Sequence, residues 1–268
     1  MKRIVVDQYT HGHPAAVVQA HALRTAEAFA SATVALLQPG DSVLDVGCGP
    51  GSITQGFKQY VGPQGRVVGM DLEPKVLEQA RQVVGTKAEI MQGNAYQLPF
   101  PDQSFDVVHC HQMLQHLKDP VLAIKEMHRV CKRIVVAREV DYESWLWFPE
   151  SKGMDKWKTA YRQTCRKNGA NPDAGRMLKQ WFAEAGVSEN VDISTSTVQY
   201  YGEKSTKQFG DTWAKRVGGT QLGDQMVQYG LATRSEVEEM SMAWTEWGQS
   251  PNAMLFYVDV CAVGHKQY

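Results

Sequence analysis

Asp45, Gly47, Gly49 and Gly51 stand at alternate positions in Val43-Leu44-Asp45-Val46-Gly47-Cys48-Gly49-Pro50-Gly51-Ser52-Ile53-Thr54. An apolar strand runs into an acid and three glycines, and a helix opens just beyond. Glycine lets a backbone turn sharply and approach a ligand with no Cβ in the way. The helix N-terminus then offers unpaired N–H groups to a polar or anionic group. A dinucleotide fingerprint would want Gly or Ala at position 52 and a pyrophosphate on that helix. Ser52 breaks the fingerprint, and the Asp45 carboxylate would repel a pyrophosphate while attracting the ammonium of an amino acid.

Further acids and amides follow at strand ends. Asp71 closes Arg66-Val67-Val68-Gly69-Met70, where a carboxylate can accept hydrogen bonds from ribose hydroxyls, or cap the helix that starts near Pro74. Gln92-Gly93-Asn94-Ala95 ends the third strand, and Leu98-Pro99-Phe100-Pro101-Asp102 follows it. Phe105-Asp106-Val107-Val108-His109-Cys110-His111-Gln112 is the fourth strand, and Val135-Val136-Ala137-Arg138-Glu139-Val140-Asp141 contains the fifth.

The glycine string resembles that of the class I S-adenosylmethionine (SAM) dependent methyltransferases. The 92–106 segment is similar to the Gly-Asp-Ala…Leu-Pro-Phe stretch of the ubiquinone-biosynthesis-type enzymes, with Asn94 where they carry the acid. His21-Ala22-Leu23-Arg24-Thr25-Ala26-Glu27, Ala174-Gly175-Arg176…Trp181 and Gly230-Leu231-Ala232-Thr233-Arg234…Trp244 resemble a small-molecule subgroup of the same family. The chain departs from the family where Val130-Cys131-Lys132-Arg133-Ile134 replaces its Lys-Pro-Gly-Gly turn. The resemblance implies SAM as cofactor and a Rossmann-like α/β sheet, mostly parallel with an antiparallel last strand.

By that resemblance Gly47, Cys48, Gly49 and Gly51 line the methionine portion, with Asp45 near its ammonium. Asp71 holds the ribose with Leu72 beside it. Asn94 and Ala95 edge the adenine, and His111 and Gln112 flank the sulfonium. Tyr9 and Arg24 reach the carboxylate. The plainer roles are a turn for Asn94, packing for Tyr9 and a solvated helix face for Arg24. An amide oxygen at 94 can still accept from adenine, without the charge that strengthens such bonds.

These residues need elements to hold them. The pattern predicts helices over 14–37, 51–60, 74–84 and 120–131, and strands near 88–92, 105–110 and 133–140. Strands alternating with helices argue for a parallel sheet covered on both faces. Beyond 141 the spacing predicts helices over 151–168, 174–186, 204–217, 221–229 and 233–248, with strands near 190–199 and 253–261. We expect one domain over 1–268, with core 38–142 and cap insertions at about 143–187 and 203–250.

Methyl transfer from a sulfonium is an in-line displacement needing no metal, and an acceptor hydroxyl or acidic carbon would require a base. His111, His116 and Glu139 are the candidates, with Asp141 beside them; histidine is poised near neutral pH. His109 and His111 face one side of a strand and could chelate a metal, but no carboxylate cluster accompanies them, so no metal is expected. Seven tryptophans, all after position 140, give the cap an apolar and aromatic character suited to a flat metabolite.

At 268 residues the chain can bury a sizeable core. Lys plus Arg number 28 against 29 Asp plus Glu, so no basic surplus recommends nucleic acid. Five scattered cysteines fit a reducing compartment, and neither a signal peptide nor a membrane span is evident, so a cytoplasmic protein is expected. Two alternatives stay open: a SAM-binding member of the fold that does not methylate, and an NAD-dependent oxidoreductase.

Overall fold

A computed structural model describes residues 7, 9–10, 12, 21–187 and 191–266. Seven strands form one sheet in the order β3-β2-β1-β4-β5-β7-β6. They are β1 (Ser42–Val46), β2 (Arg66–Asp71), β3 (Glu89–Gln92), β4 (Phe105–His111), β5 (Cys131–Phe148), β6 (Val191–Tyr201) and β7 (Met254–His265). The pairs from β3 through β5 are parallel, and β7 runs antiparallel to both β5 and β6. This is the α/β sheet with an antiparallel last strand that the family resemblance implied. Strand order reverses between β1 and β4, and a crevice at such a reversal is where open α/β sheets bind ligands.

Alternation along the strands explains the two layers. Val43, Val67, Val107, Ile134 and Val136 point to the face covered by α1 (Ala26–Phe29), α2 (Ser31–Leu36) and α3 (Ser52–Val61). Their neighbours Leu44, Val68, Val108 and Val135 point to the other face, under α5 (Pro120–Val130) and α7 (Leu178–Glu184). Both faces of the central strands are covered, which is why Val43-Leu44 in β1 and Val107-Val108 in β4 are apolar at consecutive positions. Helix α4 (Pro74–Val84) flanks β3, and its N-cap is Glu73, whose side chain accepts from Lys75 N. Asp71 is therefore not the cap; its Oδ1 instead accepts from the Glu73 N–H at 3.1 Å.

Three expected boundaries shift. Residues 14–20 of the anticipated N-terminal helix lie outside the described residues, and from 21 onward the stretch is interrupted. Thr25 caps α1, and Ala30 separates α1 from α2 with φ −135°. Strand β5 continues to Phe148 instead of stopping near 140. A register shift between Asp141 and Leu146 puts Tyr142 and Trp145 on the same buried side, three positions apart, and that offset conceals the strand from a period-two reading. Trp145 and Trp147 therefore belong to β5. Finally, Ala174, Leu178, Trp181 and Phe182 pack in the sheet's own core beside α5, so this part of the anticipated 143–187 insertion is a flanking layer of the sheet. Where the family turn is missing, α5 ends at Val130 and β5 begins at Cys131 with no loop between them.

A second cluster sits beyond the carboxyl ends of the strands. It joins α6 (Lys152–Lys167), α8 (Glu203–Gly218), α9 (Gln221–Gln228) and α10 (Arg234–Gln249) to the extended halves of β5 and β7. Its centre is aromatic: Trp157, Trp213 and Trp244 are all essentially inaccessible to solvent. Trp157 packs edge-on to Trp213 and Trp244 at 4.7 Å each and stacks on Tyr161 at 5.6 Å. All five cysteines are free and buried. Among the described residues no helix is long and apolar enough to cross a membrane.

Candidate cofactor and acceptor site

A cavity of about 510 Å³ opens at the carboxyl ends of β1, β2 and β4. Of the residues anticipated for a cofactor, Tyr9, Arg24, Asp45, Gly47, Cys48, Gly49, Asp71, Leu72, Asn94, Ala95, His111 and Gln112 line it, and His116 joins them. Gly51 does not. A Cβ on Gly51 would stand 2.8 Å from Val84 Cγ1, so this glycine lets the loop lie against α4. At Gly49 a Cβ would meet nothing within 4 Å, and φ is +53°. The loop is thus held by Gly51 and bare at Gly49, a cradle that any side chain would fill.

The loop is tied to β2. Gly49 N donates to Asp71 Oδ2 at 3.0 Å, and the N–H groups of Gly47 and Cys48 both donate to Met70 O. No side chain caps α3, whose N-terminus lies beside the loop. Asp45 is buried and accepts from Thr54 Oγ1 at 2.6 Å; burial pushes its carboxyl up to about 7, against the effect of that bond. Asn94 makes the turn anticipated as its plainer role, since its Oδ1 accepts from Tyr96 N at 2.9 Å. An amide oxygen has a second lone pair, so the turn leaves it able to accept once more.

The three candidate bases separate. Glu139 does not line the cavity: it is fully buried and accepts from the N–H groups of Met113 (2.9 Å), Leu114 (2.7 Å) and Gln115 (3.4 Å). It organises the turn that carries His116, so its anticipated catalytic role is withdrawn. Burial pushes its carboxyl up to about 8, with the three N–H groups acting the other way. A carboxyl raised in the fold above its ordinary 4.5 contributes stability that is complete below about pH 4.5 and lost as pH rises through about 8. Thermal melts of Glu139→Gln should therefore show a flatter fall in Tm between pH 6 and 8 than the parent chain; an unchanged slope would refute this.

His111 does line the cavity. Burial first, then Arg24 and Arg138, push it well below the usual histidine range, and among the described residues neither ring nitrogen has a hydrogen-bond partner. It presents a neutral imidazole, suited to hydrogen bonding and poor at retaining a proton. His116 packs edge-on against Tyr9 at 4.6 Å. His109 is turned away under the helices, with Nδ1 2.8 Å from Thr33 Oγ1.

A second cavity, about 930 Å³, lies under the cap. Tyr142, Trp145, Tyr200, Phe209, Trp213 and Tyr257 give it aromatic walls, and Arg24 and Gln112 line both cavities. Arg24 Nη2 donates to Gln112 Oε1 at 2.8 Å, so this pair forms the shared wall. Gln112 has φ +50°, and its N–H donates to Arg138 O at 2.7 Å. Arg138 pairs with the inaccessible Asp259 at 3.0 Å. The wall is thereby anchored in β4, β5 and β7. The aromatic lining could be anticipated in kind from the tryptophans. Arg216, another lining residue, was missed, although Phe209, Trp213 and Arg216 at i, i+4 and i+7 put a cation on an apolar stripe.

A methyltransferase-domain model matches residues 44–134. An uncharacterized methyltransferase of Schizosaccharomyces pombe is 31% identical over 264 residues, covering 94% of each chain. The chain belongs to the class I SAM-dependent methyltransferases. A demethylmenaquinone methyltransferase of Geobacillus stearothermophilus is 40% identical over 100 residues, which is 36% of this methyltransferase and 43% of that protein. Likeness to the ubiquinone and menaquinone enzymes is thus local. Among solved structures, the methyltransferase chain in a complex with the Haloferax volcanii Trm112 activator covers 99% of this one at a TM-score of 0.58 and 16% identity, a likeness of fold. The cofactor of this methyltransferase is SAM, and the bare cradle at Gly49 beside a strand-end carboxylate fits it. The oxidoreductase alternative falls with this assignment.

Proposed function

We propose that this methyltransferase, acting as a single domain, methylates a small apolar or aromatic metabolite enclosed by its helical cap. The observation that carries this reading is the shared wall: two cavities meet at Arg24 and Gln112, one behind the glycine loop and one walled by aromatic rings. SAM when bound supplies a methyl group made electrophilic by a positively charged sulfur. The chain's part is to hold the two partners in line, which can contribute about 7–11 kcal/mol at best. In this reading Gly47, Cys48 and Gly49 receive the methionine portion, Asp71 and Leu72 the ribose, and Asn94 and Ala95 the adenine. Asp45 faces the ammonium end, and Tyr9 and Arg24 the carboxylate. Gln112 and His111 stand at the junction, with His116 as the remaining candidate base. The family-model match ends at 134, whereas most of the acceptor cavity is built from residues after 140, so the acceptor is read from the cap and not from the quinone enzymes.

Mass spectrometry of a panel of aromatic and aliphatic metabolites incubated with protein and SAM tests the proposal. We expect an aromatic member to gain one methyl group, and S-adenosylhomocysteine to bind and inhibit. Tight SAM binding with no methylated product from any aromatic compound that binds under the cap would favour a nonmethylating role.

A further inference from the structure

Among the described residues that line the acceptor cavity, Arg216 is the buried one that carries a charge. It lies on α8 and is only 7% exposed. Its guanidinium sits over the Trp213 ring at 4.9 Å. Among the described residues its Nε has no hydrogen-bond partner and no carboxylate pairs with it. Among the described residues the other buried arginine, Arg138, pairs with Asp259 at 3.0 Å, and the less buried Arg162 pairs with Asp173 at 2.8 Å. The groups that act electrostatically on Arg216 are the hydroxyls of Tyr142, Tyr9 and Tyr161 and the like charge of Arg24.

The rest of the cavity does not compensate it. Lys204, Lys207, Lys215 and Arg24 also line the space, against the single acid Asp211, which Lys207 already holds at 2.6 Å. A buried cation without a partner is costly, and a planar guanidinium is matched by a carboxylate through two parallel hydrogen bonds. We propose that the methyl acceptor is an aromatic carboxylic acid, its ring held among Tyr142, Trp145, Phe209 and Trp213 and its carboxylate by Arg216. The proposal rests on the reading of this cavity as the acceptor site and names the class of acceptor.

Calorimetry on the full chain saturated with S-adenosylhomocysteine tests it, using 2-naphthoate and 4-hydroxybenzoate beside their uncharged carboxamides. The parent chain should bind each acid roughly tenfold or more tighter than its amide. Arg216→Met should erase that preference, and Arg216→Lys should keep part of it. S-adenosylhomocysteine affinity should be equal in all three proteins, which also shows that the variants are folded. Equal acid preference in the parent and Arg216→Met would overturn the anchor, as would lost S-adenosylhomocysteine affinity with the preference intact, which would assign Arg216 to the donor. Amides binding as well as acids to the parent would overturn the anchor alone and leave an aromatic acceptor standing. Failure of acids and amides alike, with S-adenosylhomocysteine bound, would overturn both readings.

Discussion

Replacing Gly49 with valine should raise the Kd for SAM by roughly 100-fold or more, about 2.7 kcal/mol, with a shift of only a few degrees in Tm. Two features of the position act together. Its φ of +53° lies in the left-handed region, where a β-branched residue costs roughly 1–2 kcal/mol. Its Cβ would meet no protein atom within 4 Å, so the side chain would project into the cavity and take the ligand's place. Gly51→Ala is the contrasting case. There the Cβ would press on Val84 Cγ1 at 2.8 Å, and the strain falls on the packing of the loop against α4. Calorimetry with SAM and a thermal melt on both variants separate the two. Retained affinity in Gly49→Val would show that the cofactor lies elsewhere.

Trp157→Ala should cost about 3–5 kcal/mol of unfolding free energy, measured as a lower denaturant midpoint at unchanged m. Domains are stable by only about 5–15 kcal/mol, so such a loss brings the chain close to unfolding. The size follows from its surroundings. Trp157 is fully buried and touches Trp145, Trp147, Tyr161, Trp213 and Trp244, rings from α6, α8, α10 and β5. Rigid rings on four elements cannot collapse into the space left behind, so the variant keeps most of the cavity it creates. A loss below 1 kcal/mol would mean that the cap is not packed around this residue. Trp213 is less suitable for the test because it also lines the acceptor cavity, where binding and stability effects would mix.

Glu139 and Asp71 illustrate why side-chain roles divide from side-chain positions. Asp71 closes β2 and Glu139 lies in β5 level with the end of β4, and nothing in the local sequence distinguishes them. Asp71 reaches the glycine loop and stays at the cavity wall, whereas Glu139 is drawn inward by three backbone N–H groups of the segment after β4. A turn starved of backbone partners takes whatever buried acceptor the neighbouring strand supplies. That competition is decided across 24 to 26 positions of chain, beyond any local pattern.

By itself the amino-acid order determined the alternating helices and strands, the glycine bend between β1 and α3, and the acid that closes β2. These follow from spacings of two and of three to four residues, which are local and survive in one dimension. It also announced an aromatic cap through its tryptophans. Only the tertiary structure decided that β5 runs on into that cap, that Glu139 serves a turn, and that Arg24 meets Gln112 across 88 positions to divide two cavities. The unpaired charge of Arg216 likewise exists only once β5, β7 and α8 enclose it. A cavity is the space between surfaces far apart in the chain, and no short spacing of residues encodes that.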